Sequence, residues 1–250
     1  MNVLSISLSN YCNLNCPECP VKNHKVSKWT DYSFDLSKLK QMLEDLYNTK
    51  EWVIEITGGE PTLKSEFDEL MNILKEYRVS VLTNSSNLLN LPKYENAIFL
   101  CSWHEGQMPF DVFGKNIKGS KNKCLAICFP NKNTDKRGHI SEYREDAEIL
   151  FKEHNIPYIY GSWNENPLVY LEIAKLYEVD YKTGNAKLVT IIPNGGIRRC
   201  VCNTEQDYAN VNQYSMEHRD EFIPMVNKCE GLLYDMMCST LIRNRILWKE

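Results

Sequence analysis

Short apolar runs rich in β-branched residues alternate with segments of helical periodicity over the first two-thirds of this chain, and few folds accommodate that alternation. Val3–Leu8 is the first run and ends at Ser9-Asn10. Leu36, Leu39, Met42, Leu43 and Leu46 then recur at the spacing of one helical face. Trp52–Ile56 reads as a second strand, stopped by Gly58-Gly59. Ser65 and Asp68 predict a capping box for a helix that turns Phe67, Leu70, Met71 and Leu74 inward. Val79–Leu82, Ala97–Cys101 and Leu125–Phe129 supply three more strands. A helix with Tyr143, Ala147, Leu150 and Phe151 on one face leads to a sixth, around Tyr158–Tyr160. Strands joined by helical crossovers predict a parallel sheet, which places its chemistry in the loops after the strand ends.

The pattern changes near residue 167. Tyr177–Tyr181 and Lys187–Ile192 flank Lys182-Thr183-Gly184-Asn185, a hairpin signal. The expected fold class is therefore α/β: a partial (β/α)6 TIM-like barrel over residues 1–166, with a small cysteine-rich β-hairpin/helix module over 167–250.

Ten cysteines in 250 residues are the informative part of the composition. The start, MNVLSISLSN, lacks the basic, apolar form of a signal peptide, and no apolar run nears the ~18 residues that span a bilayer. A cytoplasmic location follows as the expectation, and reduced cysteines there point to metal binding or catalysis rather than disulfides. The net charge of −4 gives no electrostatic reason to expect nucleic acid as a partner.

Cys12-Asn13-Leu14-Asn15-Cys16-Pro17-Glu18-Cys19 has the form CxxxCxxC. Three thiolates on one loop can hold three irons of a [4Fe–4S] cube and leave the fourth iron open. By itself the triplet also suits part of a zinc site, or surface thiols. Gly58-Gly59-Glu60-Pro61 by itself reads as a turn, in which glycine lets backbone approach closely.

In the order strand, CxxxCxxC loop, helix, strand, GGEP, residues 3–163 resemble the radical S-adenosylmethionine (SAM) superfamily. The resemblance implies a SAM-binding [4Fe–4S] cluster on Cys12, Cys16 and Cys19, with Gly58, Gly59, Glu60 and Pro61 recognising the amino group of SAM. It further implies SAM contacts from Thr83 and Asn84 after the third strand and from Ser102 or His104 after the fourth. Gly161-Ser162 would bring backbone to the adenine. Glu18 departs from the family pattern, which has an aromatic residue before the third cysteine, so adenine packing there is in doubt. The reaction implied is reductive cleavage of SAM to a 5′-deoxyadenosyl radical, followed by hydrogen abstraction from a substrate. A flavodoxin or ferredoxin is the expected electron donor.

Ile191–Cys200 resembles the hairpin that opens SPASM or twitch modules, and Cys200, Cys202, Cys229 and Cys238 would then ligate a second, auxiliary [4Fe–4S] cluster. A zinc site and inert buried thiols are the other readings. Cys101, Cys124 and Cys128 fall in strands, where core packing is the default; Cys101 is the candidate hydrogen-atom donor to a substrate radical. Such modules accompany peptide-modifying enzymes, so a peptide is the expected substrate. No N-terminal peptide-recognition domain is expected, since the barrel pattern begins at residue 3. A small metabolite such as a nucleoside or sugar is the alternative, and a non-catalytic metal-binding scaffold a more distant one.

Overall fold

The computed structural model describes residues 1–16, 19, 34–128, 143–160, 173–179, 186–198, 209–222 and 239–249. The apolar runs become strands: β1 (Asn2–Ser7), β2 (Trp52–Thr57), β3 (Arg78–Thr83), β4 (Ala97–Cys101), β5 (Lys123–Cys128) and β6 (Tyr158–Tyr160). Each pairs in parallel with the next in sequence. Space order thus follows chain order, which is how a barrel winds; a doubly wound sheet would reverse direction. Among the described residues the sheet does not close: β6 ends it on one side while β7 (Leu188–Ile191) pairs in parallel with β1 on the other.

Helices α1 (Leu36–Leu46), α2 (Phe67–Ile73), α3 (Phe110–Gly119) and α4 (Tyr143–Glu153) make the crossovers. The carboxylate of Asp35 caps α1 by accepting from the Ser37 and Lys38 N–H groups, a contact of about 1 kcal/mol. Leu39, Met42 and Leu43 then lie buried against the sheet, each such side chain stabilising the fold by about 1.5–3 kcal/mol. The predicted capping box at Ser65 and Asp68 does not form. Glu66 is the cap position without a side-chain bond, Ser65 bonds Glu66, and Asp68 accepts from the Tyr94 hydroxyl.

Strand alternation divides the sheet into two faces. Leu4, Ile6, Ile54, Ile56, Val79, Val81, Phe99, Cys101, Cys124, Ala126 and Cys128 face the helical layer and form the main core. Leu82, Leu100, Leu125, Ile127 and Ile159 face the concave side, where they meet Ile246 and Leu247 of the C-terminal helix α5 (Ser239–Leu247). Polar residues of the concave face bond this helix too. Arg243 and Glu55 form an ion pair of 2.9 Å, Asn244 Nδ2 donates to Glu55 at 3.0 Å, and Ser80 donates to Asn244 Oδ1 at 2.7 Å.

The hairpin expected across residues 182–185 lies outside the described residues. Residues 173–176 form a helical turn, and Tyr177 accepts the Tyr160 N–H instead of starting a strand. Within the expected Ile191–Cys200 segment a hairpin turn joins β7 to antiparallel β8 (Gly196–Arg198) through Pro193-Asn194-Gly195, where Gly195 takes a φ of +82°. Strand β9 (Ala209–Asn210) pairs with β8. Asn212 and Tyr214 after it bond the start and side of α1. The proposed boundary at residues 166–167 lies outside the described residues, and the strands after it extend the same sheet.

Candidate active site

Four loops leave the carboxyl ends of β1–β4 side by side, an order set by the parallel sheet. The first carries Cys12, Cys16 and Cys19, all partly exposed and free of disulfides. The Cys19 N–H donates to the Cys16 carbonyl at 3.3 Å, and the Leu14 N–H donates to Cys12 Sγ at 3.4 Å.

The second loop supports the first along its backbone. Beyond the strands, Gly59 N–H donates to the Ser9 carbonyl at 2.6 Å and Glu60 N–H to the Tyr11 carbonyl at 2.7 Å. A β-carbon on Gly59 would sit 2.0 Å from the Tyr11 carbonyl oxygen, and one on Gly58 2.4 Å from that of Ser9. The two glycines are therefore the condition for the cysteine loop to lie against this turn.

Glu60 closes the turn with its carboxylate wholly buried. One oxygen accepts from the Thr62 hydroxyl at 2.6 Å, from the Thr83 hydroxyl at 2.7 Å and from the Thr62 N–H at 3.3 Å; the other accepts from the Asn84 N–H at 2.6 Å. Burial pushes its pKa up, and these donors pull it back. Most of its accepting capacity is thus taken by the protein, and the side chain fixes the end of β3 to the turn. Pro61 begins the 3-10 turn Pro61–Leu63 and is buried.

The third loop follows β3. The Asn84 side chain donates to Asn13 Oδ1 at 2.9 Å and lies 3.6 Å from Cys12 Sγ. Ser85 holds a φ of +63°, unusual for a residue with a β-carbon. Its N–H bonds the Thr83 hydroxyl, and its carbonyl accepts from buried Asn116 at 2.9 Å. Strain at such a position persists where surrounding bonds hold it.

The fourth loop grips the cysteine loop at two points. His104 Nδ1 lies 3.3 Å from Cys16 Sγ, and the Asn15 N–H donates to Gln107 Oε1 at 3.0 Å. The turn is built on the His104 carbonyl, which accepts from the Gln107 and Met108 N–H groups, while Trp103 donates to the Met108 carbonyl at 2.9 Å. Ser102 is buried, on the face opposite Cys101, and its N–H bonds the Thr83 carbonyl. Burial lowers the pKa of His104 and raises that of Cys12.

Thr83, Asn84, Gly58–Pro61 and the three cysteines lie together at these loop ends, and His104 joins them through Cys16. Asn13, Asn15 and Gln107 were invisible to sequence reasoning, because a polar residue in a loop carries no periodic signal. Cys101 is fully buried in the helix-side core with Phe99 and Cys124, and burial drives its thiol pKa well up. Core packing is the role this placement supports for Cys101. Cys124 and Cys128 share the core with it, as their default reading predicts. Cys200, Cys202, Cys229, Cys238, Gly161, Ser162 and Glu18 lie outside the described residues.

The three thiols suit an iron–sulfur cube. Among the described residues no three His, Cys, Asp or Glu side chains gather round a single ion position. A cube takes each thiolate on a different iron, so three partly exposed thiols on one loop suit it without meeting at a single ion position.

Residues 6–157 match the Radical SAM superfamily. A curated relative, the 7,8-dihydro-6-hydroxymethylpterin dimethyltransferase of Methanocaldococcus jannaschii, is 33% identical over 139 residues, which cover 50% of this chain and 27% of that protein. The chain spans about a quarter to two-fifths of the length of the curated relatives it matches. Among solved structures, SuiB of Streptococcus suis bound to precursor peptide SuiA superposes with a TM-score of 0.59 at 14% identity, over 92% of this chain and 66% of SuiB. The protein anSMEcpe with bound AdoMet gives 0.56 at 17% identity, over 87% of this chain and 79% of that one. With the match running from within β1 to the residue before β6 and taking in all four loops of the site, the chain belongs to the radical SAM superfamily.

Proposed function

We propose that this chain binds a [4Fe–4S] cluster through Cys12, Cys16 and Cys19 and cleaves SAM reductively to begin hydrogen abstraction from a substrate. The observation that carries this reading is the cysteine loop itself: three accessible thiols at the carboxyl end of β1, laid on a turn whose glycines admit nothing larger. Once bound, the cluster and SAM supply one-electron chemistry that ends in a 5′-deoxyadenosyl radical.

The chain's own part is positioning. Gly58 and Gly59 let the turn carry the cysteine loop by two backbone bonds. Glu60 holds Thr83 and Asn84 at a fixed distance from that loop. SAM is assigned to the mouth these loops surround, with Gly58–Pro61, Thr83, Asn84 and Ser102 as its contacts. Glu60 contributes by fixing the strand ends, since its carboxylate is already engaged by four internal donors.

A peptide is the substrate we favour, on the likeness to SuiB, whose structure holds a precursor peptide. The pterin named for the methanogen relative favours a small metabolite as the second reading. Hairpin β7–β8 supports a C-terminal auxiliary module, for it ends at Arg198, two residues before Cys200. A small electron-transfer protein such as flavodoxin or ferredoxin is the electron donor we favour and the cytoplasm the location; among the described residues no helix is long and apolar enough to cross a membrane. Incubating the anaerobically reconstituted protein with SAM, dithionite and candidate peptides tests the reading. Deuterium passing from a labelled peptide into 5′-deoxyadenosine is the expected result; transfer only from small metabolites would replace the peptide.

A further inference from the structure

Two of the three cysteine sulfurs have a side-chain N–H donor from a different strand end. Asn84 Nδ2, after β3, lies 3.6 Å from Cys12 Sγ, and His104 Nδ1, after β4, lies 3.3 Å from Cys16 Sγ. We propose that Asn84 and His104 are positioning residues that donate hydrogen bonds to these thiolates and thereby raise the reduction potential of the cluster.

The direction of each bond is settled by chemistry. A thiolate bound to iron has no proton, so the hydrogen between Cys16 and His104 belongs to Nδ1, which can carry one whether the ring is neutral or cationic. The Asn84 amide is oriented by its neighbours. Its Oδ1 accepts from the Ser86 N–H at 3.0 Å, and its Nδ2 donates to Asn13 Oδ1 at 2.9 Å, so the amino end faces Cys12.

Both donors are also held in place. The Asn84 N–H is fixed on Glu60 at 2.6 Å, and the His104 carbonyl anchors the turn by accepting from two N–H groups. Reduction adds negative charge that spreads onto the sulfurs. A fixed donor therefore stabilises the reduced state more than the oxidised one. The backbone N–H of Leu14 at Cys12 acts in the same sense and is left in place by side-chain changes at Asn84 and His104. Glu60 has its part as well, since it sets Asn84 rather than touching sulfur.

This inference rests on the cluster reading above, and the two can fail separately. The experiment is potentiometric titration of the reconstituted holoenzyme, followed by electron paramagnetic resonance, with iron measured on the same samples. Asn84→Leu and His104→Phe remove the donors at similar size, and the double variant should favour the oxidised state about tenfold more, about 59 mV for one electron. His104→Gln retains an N–H donor and should fall between wild type and His104→Phe. Unchanged midpoints at full iron content overturn the proposal and leave the cluster reading intact; absence of iron from the wild type sinks both. If the variants lose iron, the wild type still decides. Labelling histidine with 15N should change the hyperfine couplings of the reduced cluster, and no nitrogen coupling from histidine overturns the His104 bond.

Discussion

Gly59 shows how little freedom the site has at the scale of one residue. Its missing side chain is the space occupied by the Tyr11 carbonyl, 2.0 Å from where a β-carbon would lie. Gly59→Ala must displace backbone, so the cysteine loop loses its seat. Iron in reconstituted Gly59→Ala should fall well below the wild-type value, while circular dichroism of the sheet stays unchanged; wild-type iron with wild-type SAM affinity would show that the contact is dispensable. Cys101 gives the opposite expectation. Its thiol packs in the helix-side core, so Cys101→Ala should cost stability on the order of 1 kcal/mol and leave substrate turnover in place. Abolished turnover in a folded Cys101→Ala protein would favour the hydrogen-donor role instead. That role was unreadable from sequence for a physical reason: a central parallel strand is apolar on both faces, so parity cannot say which face looks toward the loops.

Most strands and their order were legible, because a buried parallel strand needs a short apolar run bounded by turn residues, and Val3–Leu8 or Trp52–Ile56 supply little else. Helix α3 carried a weaker signal. Gly114 and Asn116 interrupt its apolar face, and it forms because Phe113 and Ile117 are buried in the core. The turn of the β7–β8 hairpin falls within Ile191–Cys200, where the sequence leads one to expect it, and the pairing of β7 with β1 ties it to the sheet. The docking of α5 on the concave face was not legible at all, since Glu55 and Arg243 are 188 residues apart. That pair makes a prediction. Arg243 is 13% and Glu55 2% exposed, so Arg243→Ala leaves a buried carboxylate without its cation. The expected loss is about 3–5 kcal/mol in denaturant unfolding. Replacing both, as Glu55→Leu with Arg243→Met, should recover much of it. A loss under about 1 kcal/mol for Arg243→Ala alone would mean the pair is solvated.

At the scale of the whole molecule, the sheet of nine strands found among the described residues ties the C-terminal segment to the barrel. Strand β7 lies against β1, Asn212 and Tyr214 bond α1, and α5 covers the concave face. If Cys200, Cys202, Cys229 and Cys238 hold the proposed auxiliary cluster, reconstituted protein should contain about eight irons per chain. The variant lacking Cys12, Cys16 and Cys19 should then keep about four. Four in the wild type and none in the variant would remove the second cluster and leave zinc analysis to separate a zinc site from plain thiols. The central claim has a more direct test: formation of 5′-deoxyadenosine from SAM under dithionite, compared between wild type and the variant with Cys12, Cys16 and Cys19 replaced by alanine. The account predicts product from the wild type and none from the variant; equal amounts from both would contradict it.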